Sequence, residues 1–295
     1  MQRQFGVAAQ AATSPATKRT HHFSALHLRA FDMPTLYPSA RTSINSAILL
    51  ITALLGMPVT SAWAAGDWAL SAGAVAGVAP SYPGSDKSRA LVVPYVQARY
   101  KDFLVINPVE GVGVEQSVGE SLKLSAALGF DLTRRKASDD SRLNGLADIK
   151  ETVALRLIAK YRTGPVFAEA KVLSRLGSDQ NRGSVVSVEG GYSLVATRDS
   201  GIDLGLAVRW MDSSYSRNFF GVSAAQSAAS GLKAFNAGSG TESAGVFVSG
   251  YQRLSPDWTG FARLGVSKLQ GDAANSPITR NTTQTTLIVG ARYAF

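Results

Sequence analysis

The stretch from Ser121 to Leu132 reads SLKLSAALGFDL, and its strict alternation decides the fold. One face of this stretch is apolar and consists of Leu122, Leu124, Ala126, Leu128, Phe130 and Leu132. The other face is polar or small and consists of Lys123, Ser125, Ala127, Gly129 and Asp131. Successive side chains of a β-strand point to opposite faces, so a period of two predicts a strand with one apolar and one polar side.

The same period of two continues through residues 65–295, and no apolar run there has the length of a membrane-spanning helix. Strands are predicted at 67–78, 90–100, 102–107, 110–117, 121–132, 149–162, 164–174, 182–195, 200–212, 242–254, 257–269 and 283–295. Repeated alternating segments of about ten residues are typical of membrane barrels. We therefore predict an all-β fold, a transmembrane antiparallel up-and-down β-barrel of about twelve strands.

A soluble β-sandwich gives the same alternation, but strand and loop lengths favour the barrel. Most of the predicted strands are longer than the usual strand of a globular protein, which has about five or six residues. Long loops also alternate with short turns, as in bacterial barrels. The third and fourth strands are short and joined only by Pro108 and Val109, so ten strands are the alternative. Aromatic residues lie at predicted strand ends, namely Tyr100, Tyr161, Trp210, Trp258 and Tyr293.

Residues 1–64 are predicted to be an N-terminal extension followed by a cleavable signal peptide. The apolar core Ala47–Leu55 and the small-x-small pattern Ala62-Trp63-Ala64 are typical of such a signal. Cleavage near Ala64 would leave residues 65–295 as the outer-membrane barrel. The extension is long for a signal peptide, and translation from Met33 would give a signal of ordinary length.

The composition excludes much of enzyme chemistry. The chain has no cysteine, which rules out disulfides, thiolate metal sites and cysteine nucleophiles. Its three histidines, His21, His22 and His27, all lie in the segment predicted to be removed. A serine such as Ser223 then has no histidine base, and Asp139-Asp140 lacks the alternating ligand spacing of a calcium loop. We predict no enzyme activity, no catalytic residue, no metal site and no cofactor.

The charge distribution argues against a nucleic-acid partner. The formal net charge is +9, but residues 1–64 hold five basic residues and only one acidic residue. In the remaining chain the two signs are interspersed, whereas a nucleic-acid-binding protein usually shows a basic stripe or cluster. We therefore predict that the chain does not bind nucleic acid.

The polar faces of the strands are predicted to point into the barrel, because Lys or Arg on the lipid face costs about 2–4 kcal/mol at mid-bilayer. The basic members of these faces are Arg99, Lys123, Lys150, Arg156, Lys160, Lys171, Arg209, Arg263 and Arg292. The acidic members are Asp131, Glu169, Glu189 and Asp203. Two interpretations stay open: a lumen plugged by ion pairs and inward-folded loops, or a narrow passage that prefers anions.

The longest predicted loop, residues 213–240, is rich in apolar side chains for a connection. These side chains are Tyr215, Phe219, Phe220, Leu232 and Phe235. An exposed cluster of this kind marks a binding patch. The alternative, which we favour, is that the rings fold into the mouth of the barrel.

The last strand reads TTQTTLIVGARYAF over residues 282–295, and it ends on the aromatic Phe295. This segment resembles the C-terminal signature of Gram-negative outer-membrane proteins, whose final aromatic residue is read by the barrel-assembly machinery. The resemblance implies that this machinery is a partner and that outer-membrane lipid surrounds the barrel.

The chain also resembles the MipA/OmpV family of outer-membrane proteins over essentially all of residues 65–295. The resemblance rests on Trp68, APSYPGS at 79–85, VPY at 93–95, Tyr215, FFGVS at 219–223, ASGL at 229–232 and LQGDAANSPI at 269–278. Phe219 departs from the pattern, which more often has tyrosine there. The resemblance implies a location in the outer membrane of a Gram-negative bacterium.

The family resemblance also implies a function. Members are described as scaffolds that bind a periplasmic lytic transglycosylase together with a murein synthase, so the leading hypothesis is a non-enzymatic scaffold that links murein remodelling to the outer membrane. The alternative is an anion-preferring channel, or a surface receptor or adhesin barrel. Against the scaffold stands the shortness of the predicted periplasmic turns, which offer a soluble partner little protein to contact.

Overall fold

The computed structural model describes residues 67–101 and 103–295, and it forms one closed antiparallel barrel. Each strand pairs with its neighbours in sequence, and the last strand pairs with the first. The strands are β1 (Trp68–Pro80), β2 (Ser88–Tyr100), β3 (Leu104–Asn107), β4 (Gly111–Val118), β5 (Leu122–Asp131), β6 (Thr152–Thr163), β7 (Val166–Arg175), β8 (Gly183–Ala196), β9 (Ser200–Met211), β10 (Gly240–Arg253), β11 (Trp258–Leu269) and β12 (Thr283–Ala294). The predicted signal peptide and its cleavage near Ala64 lie outside the described residues.

Helices occur only in the connections of the described chain. The loop before β6 contains two 3-10 turns, Ala137–Asp139 and Ser141–Leu143. The loop between β9 and β10 contains α1 (Ser213–Phe220) and α2 (Ala224–Ser230), and the loop before β12 contains α3 (Gly271–Asn275). None of the helices in the described residues is long and apolar enough to cross a membrane.

The alternation in the deciding stretch is confirmed, and the barrel is apolar outside and polar inside. On β5, Leu124, Leu128 and Phe130 are exposed on the outer surface, while Ala127 and Asp131 are buried on the inner side. This arrangement reverses that of a water-soluble domain, because the outer face of a membrane barrel meets lipid. The predicted all-β barrel and its twelve strands are therefore confirmed.

The third and fourth strands belong to the barrel, so the ten-stranded alternative is wrong. β3 has only four residues because Asn107-Pro108 turns the chain: the Asn107 side-chain oxygen accepts hydrogen bonds from the backbone N–H of Val109 (2.9 Å) and Glu110 (2.7 Å). An asparagine that binds the backbone two and three residues ahead is a common turn former. Gly111 then begins β4 with φ +104°, where a Cβ would lie 2.0 Å from the Leu128 carbonyl oxygen, so only glycine fits.

The two ends of the barrel differ in the length of their connections. At one end the turns are short and span residues 101–103, 119–121, 164–165, 197–199 and 254–257. At the other end, loops 81–87, 132–151, 176–182, 212–239 and 270–282 are longer. In bacterial barrels the short turns lie in the periplasm. We therefore call the ends periplasmic and outer, and both ends of the barrel chain lie on the periplasmic side.

Paired aromatic rings mark the periplasmic rim on the lipid face. Trp68 packs on Tyr100 with ring centroids 4.9 Å apart, and Tyr293 contacts both Trp258 (5.4 Å) and Phe295 (5.1 Å). Aromatic side chains prefer the boundary between hydrocarbon and water, so these pairs are placed as a membrane girdle requires.

Candidate functional site

The long loops at the outer end pack together into a small domain, which we call the outer cap. It consists of residues 81–87, 132–151, 212–239 and 270–282, and two hydrophobic clusters hold it together. The first cluster contains Ile149, Val185, Met211, Tyr215, Phe219, Phe220, Ala237, Leu269 and Ala273. The second contains Tyr82, Leu143, Leu146, Val222 and Ile278. Because these loops start from strands all around the barrel, their shared core covers the outer opening.

Helix α1 places the aromatic residues of the longest loop in this core. Asp212 caps the helix by accepting a hydrogen bond from the Tyr215 N–H (2.7 Å), and its second oxygen accepts one from the Ser184 N–H (2.9 Å). The rings of Tyr215 and Phe219 stack with centroids 4.4 Å apart and are almost fully buried. The interpretation that these rings fold into the mouth of the barrel is confirmed, and the exposed-patch alternative is wrong for them.

A buried arginine joins two of the cap loops. Arg135 is almost fully buried, and it donates hydrogen bonds to the backbone oxygens of Phe219 (2.8 Å) and Ala147 (3.3 Å). Burial lowers the pKa of Arg135 to about 10, so its guanidinium remains charged at neutral pH. Ser276 adds a further link between loops, since its hydroxyl donates to the Phe220 carbonyl (2.6 Å).

A cluster of ion pairs, which we call the latch, joins loop 81–87 to loop 132–151. Arg142 contacts both Asp86 (2.6 Å) and Asp140, and Lys87 lies 3.6 Å from Asp140. The hydrogen bond from Arg142 lowers the pKa of Asp140 to about 2. The Asp140 carboxylate is therefore ionised at any pH above about 4, and the latch stays charged through the neutral range.

Most of the predicted lumen charges are paired. The pairs include Arg99–Glu115 (2.9 Å), Lys123–Glu115 (3.5 Å), Lys160–Glu110 (2.8 Å), Lys171–Glu169 (3.2 Å), Arg209–Glu242 (2.9 Å) and Arg263–Glu189 (2.8 Å). Asp131 pairs with the buried Arg175, and Asp203 lies 3.6 Å from Arg162. Together with the cap, these pairs favour the plugged interpretation over an open passage.

Two of the predicted basic residues, Arg156 and Lys150, differ from these pairs in their contacts or in their position. Arg156 points inward as predicted, but it bonds the backbone oxygens of Phe130 (2.8 Å) and Glu110 (3.2 Å). Lys150 is exposed and lies before the start of β6 at Thr152, so its assignment to the inner face is wrong. The predicted strand began too early because Ile149 bridges to Arg135 within the loop rather than within the barrel.

Sequence reasoning missed three lumen acids, Glu110, Glu115 and Glu242. Glu115 lies in β4 on the face opposite to that of Val114 and Gln116, so the period of two in this strand was the available signal that it points into the lumen. Glu242 is the extra residue of a β-bulge between Thr241 and Ser243, so the alternation of β10 is interrupted there and does not indicate which way its side chain points. Glu110 lies in a turn and turns carry no period. With these acids the lumen is less basic than predicted.

The motifs with a superficial resemblance to functional sites have structural roles. Ser223 caps helix α2 in a capping box with Gln226, which explains its place without catalysis. Asp139 pairs with Arg134 (2.8 Å) and Asp140 with Arg142, so both carboxylates already have basic partners. The described residues contain no cluster of three or more His, Cys, Asp or Glu side chains able to hold a metal ion.

A cavity of about 380 Å³ lies beneath the cap at the outer end of the lumen. Its lining includes the Arg209–Glu242 pair, Arg89, Arg134 and Tyr215. The Tyr215 hydroxyl and the Arg134 Nε are buried there without a hydrogen-bond partner in the described part of the chain. Burial raises the pKa of Tyr215, so its phenol stays protonated and offers a donor.

One family model matches the chain, and several solved structures are similar to it at low identity. The family model described as MltA-interacting protein MipA matches residues 72–295. No curated protein matches the sequence. Among solved structures, the NanC porin is 8% identical (TM-score 0.37, 76% of this chain and 98% of that chain). An outer membrane channel from Pseudomonas putida F1 is 11% identical, with a TM-score of 0.37, and the match covers 81% of this chain and 100% of that chain. The outer membrane channel DcaP of Acinetobacter baumannii is 8% identical, with a TM-score of 0.34, and the match covers 77% of this chain and 96% of that chain.

Proposed function

The chain belongs to the MltA-interacting protein MipA family of outer-membrane β-barrels, and from this premise we propose that it is a non-enzymatic scaffold that holds a murein-remodelling enzyme at the outer membrane. The partner suggested by the family name is a lytic transglycosylase of the MltA type, and a murein synthase is the second expected member of the assembly. The outer cap carries this proposal, because it covers the outer opening and leaves the periplasmic end as the accessible side of the lumen.

The periplasmic opening supplies a contact surface that the short turns alone do not. It contains a recess of about 530 Å³ lined by three arginines, Arg198, Arg253 and Arg292, and by the rings of Tyr95, Tyr251 and Phe261. Aromatic and arginine side chains are enriched where protein interfaces gain most of their energy. A partner that inserts an acidic segment here would gain both ring contacts and charge complementarity, which supports the scaffold proposal.

A capture experiment tests the scaffold. Immobilised barrel, folded in detergent, is expected to retain a purified lytic transglycosylase of the MltA type, and R198E/R292E is expected to retain about tenfold less because it reverses charge in the recess. R217E provides the matched control, since Arg217 is an exposed arginine of the cap. Equal capture by the wild type and by R198E/R292E contradicts docking at this recess, and no capture by the wild type contradicts the scaffold.

We propose in addition that the barrel-assembly machinery reads Phe295. The Phe295 side chain lies on the lipid face beside Tyr293, and its backbone N–H donates to the Leu70 carbonyl across the β1–β12 seam (3.1 Å). Deleting Phe295 is expected to lower the amount of heat-modifiable barrel in the membrane fraction. Substitution by tyrosine keeps the aromatic end and is expected to restore it. An unchanged amount after deletion contradicts the role of Phe295.

A further inference from the structure

The short hairpin β3–β4 leaves part of the barrel wall unpaired. β3 and β4 pair with each other, but of β2 only Ala98–Tyr100 pair with β3, and of β5 only Leu122–Leu128 pair with β4. Residues 88–97 of β2 pair with β1, and residues 129–131 of β5 pair with β6, but on the side of the hairpin these two edges have no strand partner in the described chain. The order of strands around the barrel puts these two edges on either side of the hairpin tip. We call the gap above the tip the wall window.

Apolar side chains surround the wall window on its lipid side. Val96 of β2, Val109 at the hairpin tip and Phe130 of β5 are each more than half exposed. Two missing strands correspond to a gap of about 14 Å, or three strand spacings of about 4.8 Å each. At the outer rim Arg89 narrows the gap, since its guanidinium donates to the Leu132 carbonyl on the opposite side (2.8 Å).

Arginines from the lumen satisfy backbone oxygens along the window. Arg89 bonds the Leu132 carbonyl, and Arg156 bonds the carbonyls of Phe130 and Glu110. Unpaired backbone groups that face hydrocarbon are costly, so these hydrogen bonds stabilise the window. Without them its edges would come together or pair with another strand. On the β2 side, Pro94 has no N–H to leave unpaired, and its ring disfavours the addition of a strand from another chain.

The wall window leads to the cavity beneath the cap. Arg89, Leu132, Thr133 and Arg134 form the outer rim of the window and also line that cavity. Deeper in the cavity lie Arg209, whose side chain is 42% exposed, and the fully buried Tyr215. The wall of the cavity thus contains two buried donor atoms without a partner in the described chain, the Tyr215 hydroxyl and the Arg134 Nε. The cavity lining also includes a cation, Arg89, that has a carbonyl but no carboxylate partner in the described chain.

We propose that the cavity and the window together form a lateral binding site for a single-chain anionic amphiphile from the membrane. Its carboxylate or phosphate headgroup lies in the cavity beside the charge of Arg89, and on binding the wall side chains Tyr215 and Arg134 turn to donate hydrogen bonds to it. Its acyl chain leaves through the wall window between Val96 and Phe130 and ends in the bilayer. The site is independent of the proposed scaffold, because it opens to lipid near the outer end rather than to the periplasm.

The cavity fits such a headgroup in both size and chemistry. A volume of about 380 Å³ is at the lower end of the usual range for small-molecule sites. The two carboxylates on its lining are already neutralised, Glu242 by Arg209 and Asp131 by Arg175. A negative headgroup therefore meets Arg89 with no unpaired carboxylate on the described lining, and it supplies acceptors for donors that are otherwise buried without partners.

Photolabelling tests the site with palmitic acid that carries a diazirine in the second half of its chain. With the folded barrel in phospholipid vesicles, labelling is expected to be saturable and concentrated on the peptides that contain Val96, Val109 and Phe130. A matching diazirine probe with an alcohol headgroup is expected to label these peptides without saturation. Labelling spread evenly over all lipid-facing strands, or equal saturable binding of the alcohol probe, overturns the proposal.

Two pairs of variants separate the headgroup site from the window. Y215F removes one donor and is expected to weaken saturable labelling by about two- to tenfold, whereas Y251F, whose hydroxyl is bonded to the Thr197 carbonyl, is expected to change nothing. V109W is expected to fill the window and abolish labelling there, while L206W places the same ring on the fully paired wall. If Y215F and V109W both label like the wild type in correctly folded barrel, the proposal is wrong.

Discussion

Replacing Arg175 by methionine is expected to lower the free energy of unfolding by about 3–5 kcal/mol. The Arg175 side chain is fully buried at the outer end of β7, and it pairs with the carboxylate of Asp131. It also donates to the backbone oxygens of Thr133 (3.1 Å), Lys150 (2.7 Å) and Asn181 (2.8 Å). Methionine fills similar space, but it leaves the buried Asp131 carboxylate without its counter-ion and three carbonyl groups without the Arg175 donor.

Urea unfolding of the refolded barrel, followed by tryptophan fluorescence, measures this loss. R182M is the matched control, because Arg182 lies in the adjacent loop with an exposed side chain and pairs only with the exposed Asp179, so its effect should stay within about 0.5 kcal/mol. Adding D131N to R175M removes the uncompensated charge and is expected to restore part of the stability. If R175M behaves like R182M, Arg175 does not hold the cap to the barrel.

The sequence predicted the wall of the barrel well because every membrane-spanning strand must alternate. Apolar side chains that face lipid and polar side chains that face the lumen are imposed on each strand separately, so a stretch such as Ser121–Leu132 can be read alone. The direction of Arg156, Arg209 and Arg263 followed from the same rule. The predicted start of β6 at Ile149 was less accurate, because the extended backbone of a loop gives the same local sequence pattern as a strand.

The pairing of charges and the structure of the cap were not predictable in the same way. The contact between Arg263 and Glu189 joins strands β11 and β8, so it depends on how the barrel closes rather than on local spacing. Helix α1 has its rings at helical spacing, Tyr215 and Phe219, but both helices are too short for a window of about 11–18 residues to show a period, and α2 has no buried residue. Their capping residues Asp212 and Ser223 were the available signals. The wall window required the register of β3 against β2, which depends on strand pairing rather than on composition.

The cap gives a barrel of twelve strands a means of closing its outer end. Side chains alone can fill the interior of a barrel of about eight strands, and the interior of a twelve-stranded barrel is wider. Inside, Phe247 lies flat against the wall, since a Cβ at Gly205 would stand 2.4 Å from its ring, and Arg263 stacks 3.7 Å above that ring. The ring therefore takes up little of the cross-section. We therefore expect the outer cap, rather than the lumen side chains alone, to provide most of the barrier.

Replacing residues 213–238 by a short glycine–serine turn is therefore expected to convert a silent barrel into a conducting one. β9 and β10 are antiparallel neighbours, so a short turn can join them without straining the wall. The replacement removes Tyr215, Phe219 and Phe220 from the cap core. In planar bilayers the wild type should give no stable steps, and the variant should give steps with a preference for anions, because basic side chains still outnumber acids in the lumen.

The matched control for this loop replacement deletes only helix α2, residues Ala224–Ser230. Since α2 contributes no buried residue, both hydrophobic clusters should persist and the barrel should stay silent. Reversal potentials under a salt gradient then report selectivity in the conducting variant, and R263E should shift them toward cations. Stable conductance of the wild type would show that the cap is not a seal, and it would favour the channel alternative over the scaffold. If the loop variant does not conduct, the barrier lies among the ion pairs of the lumen. Two of these pairs, Arg263–Glu189 and Lys160–Glu110, cross the interior.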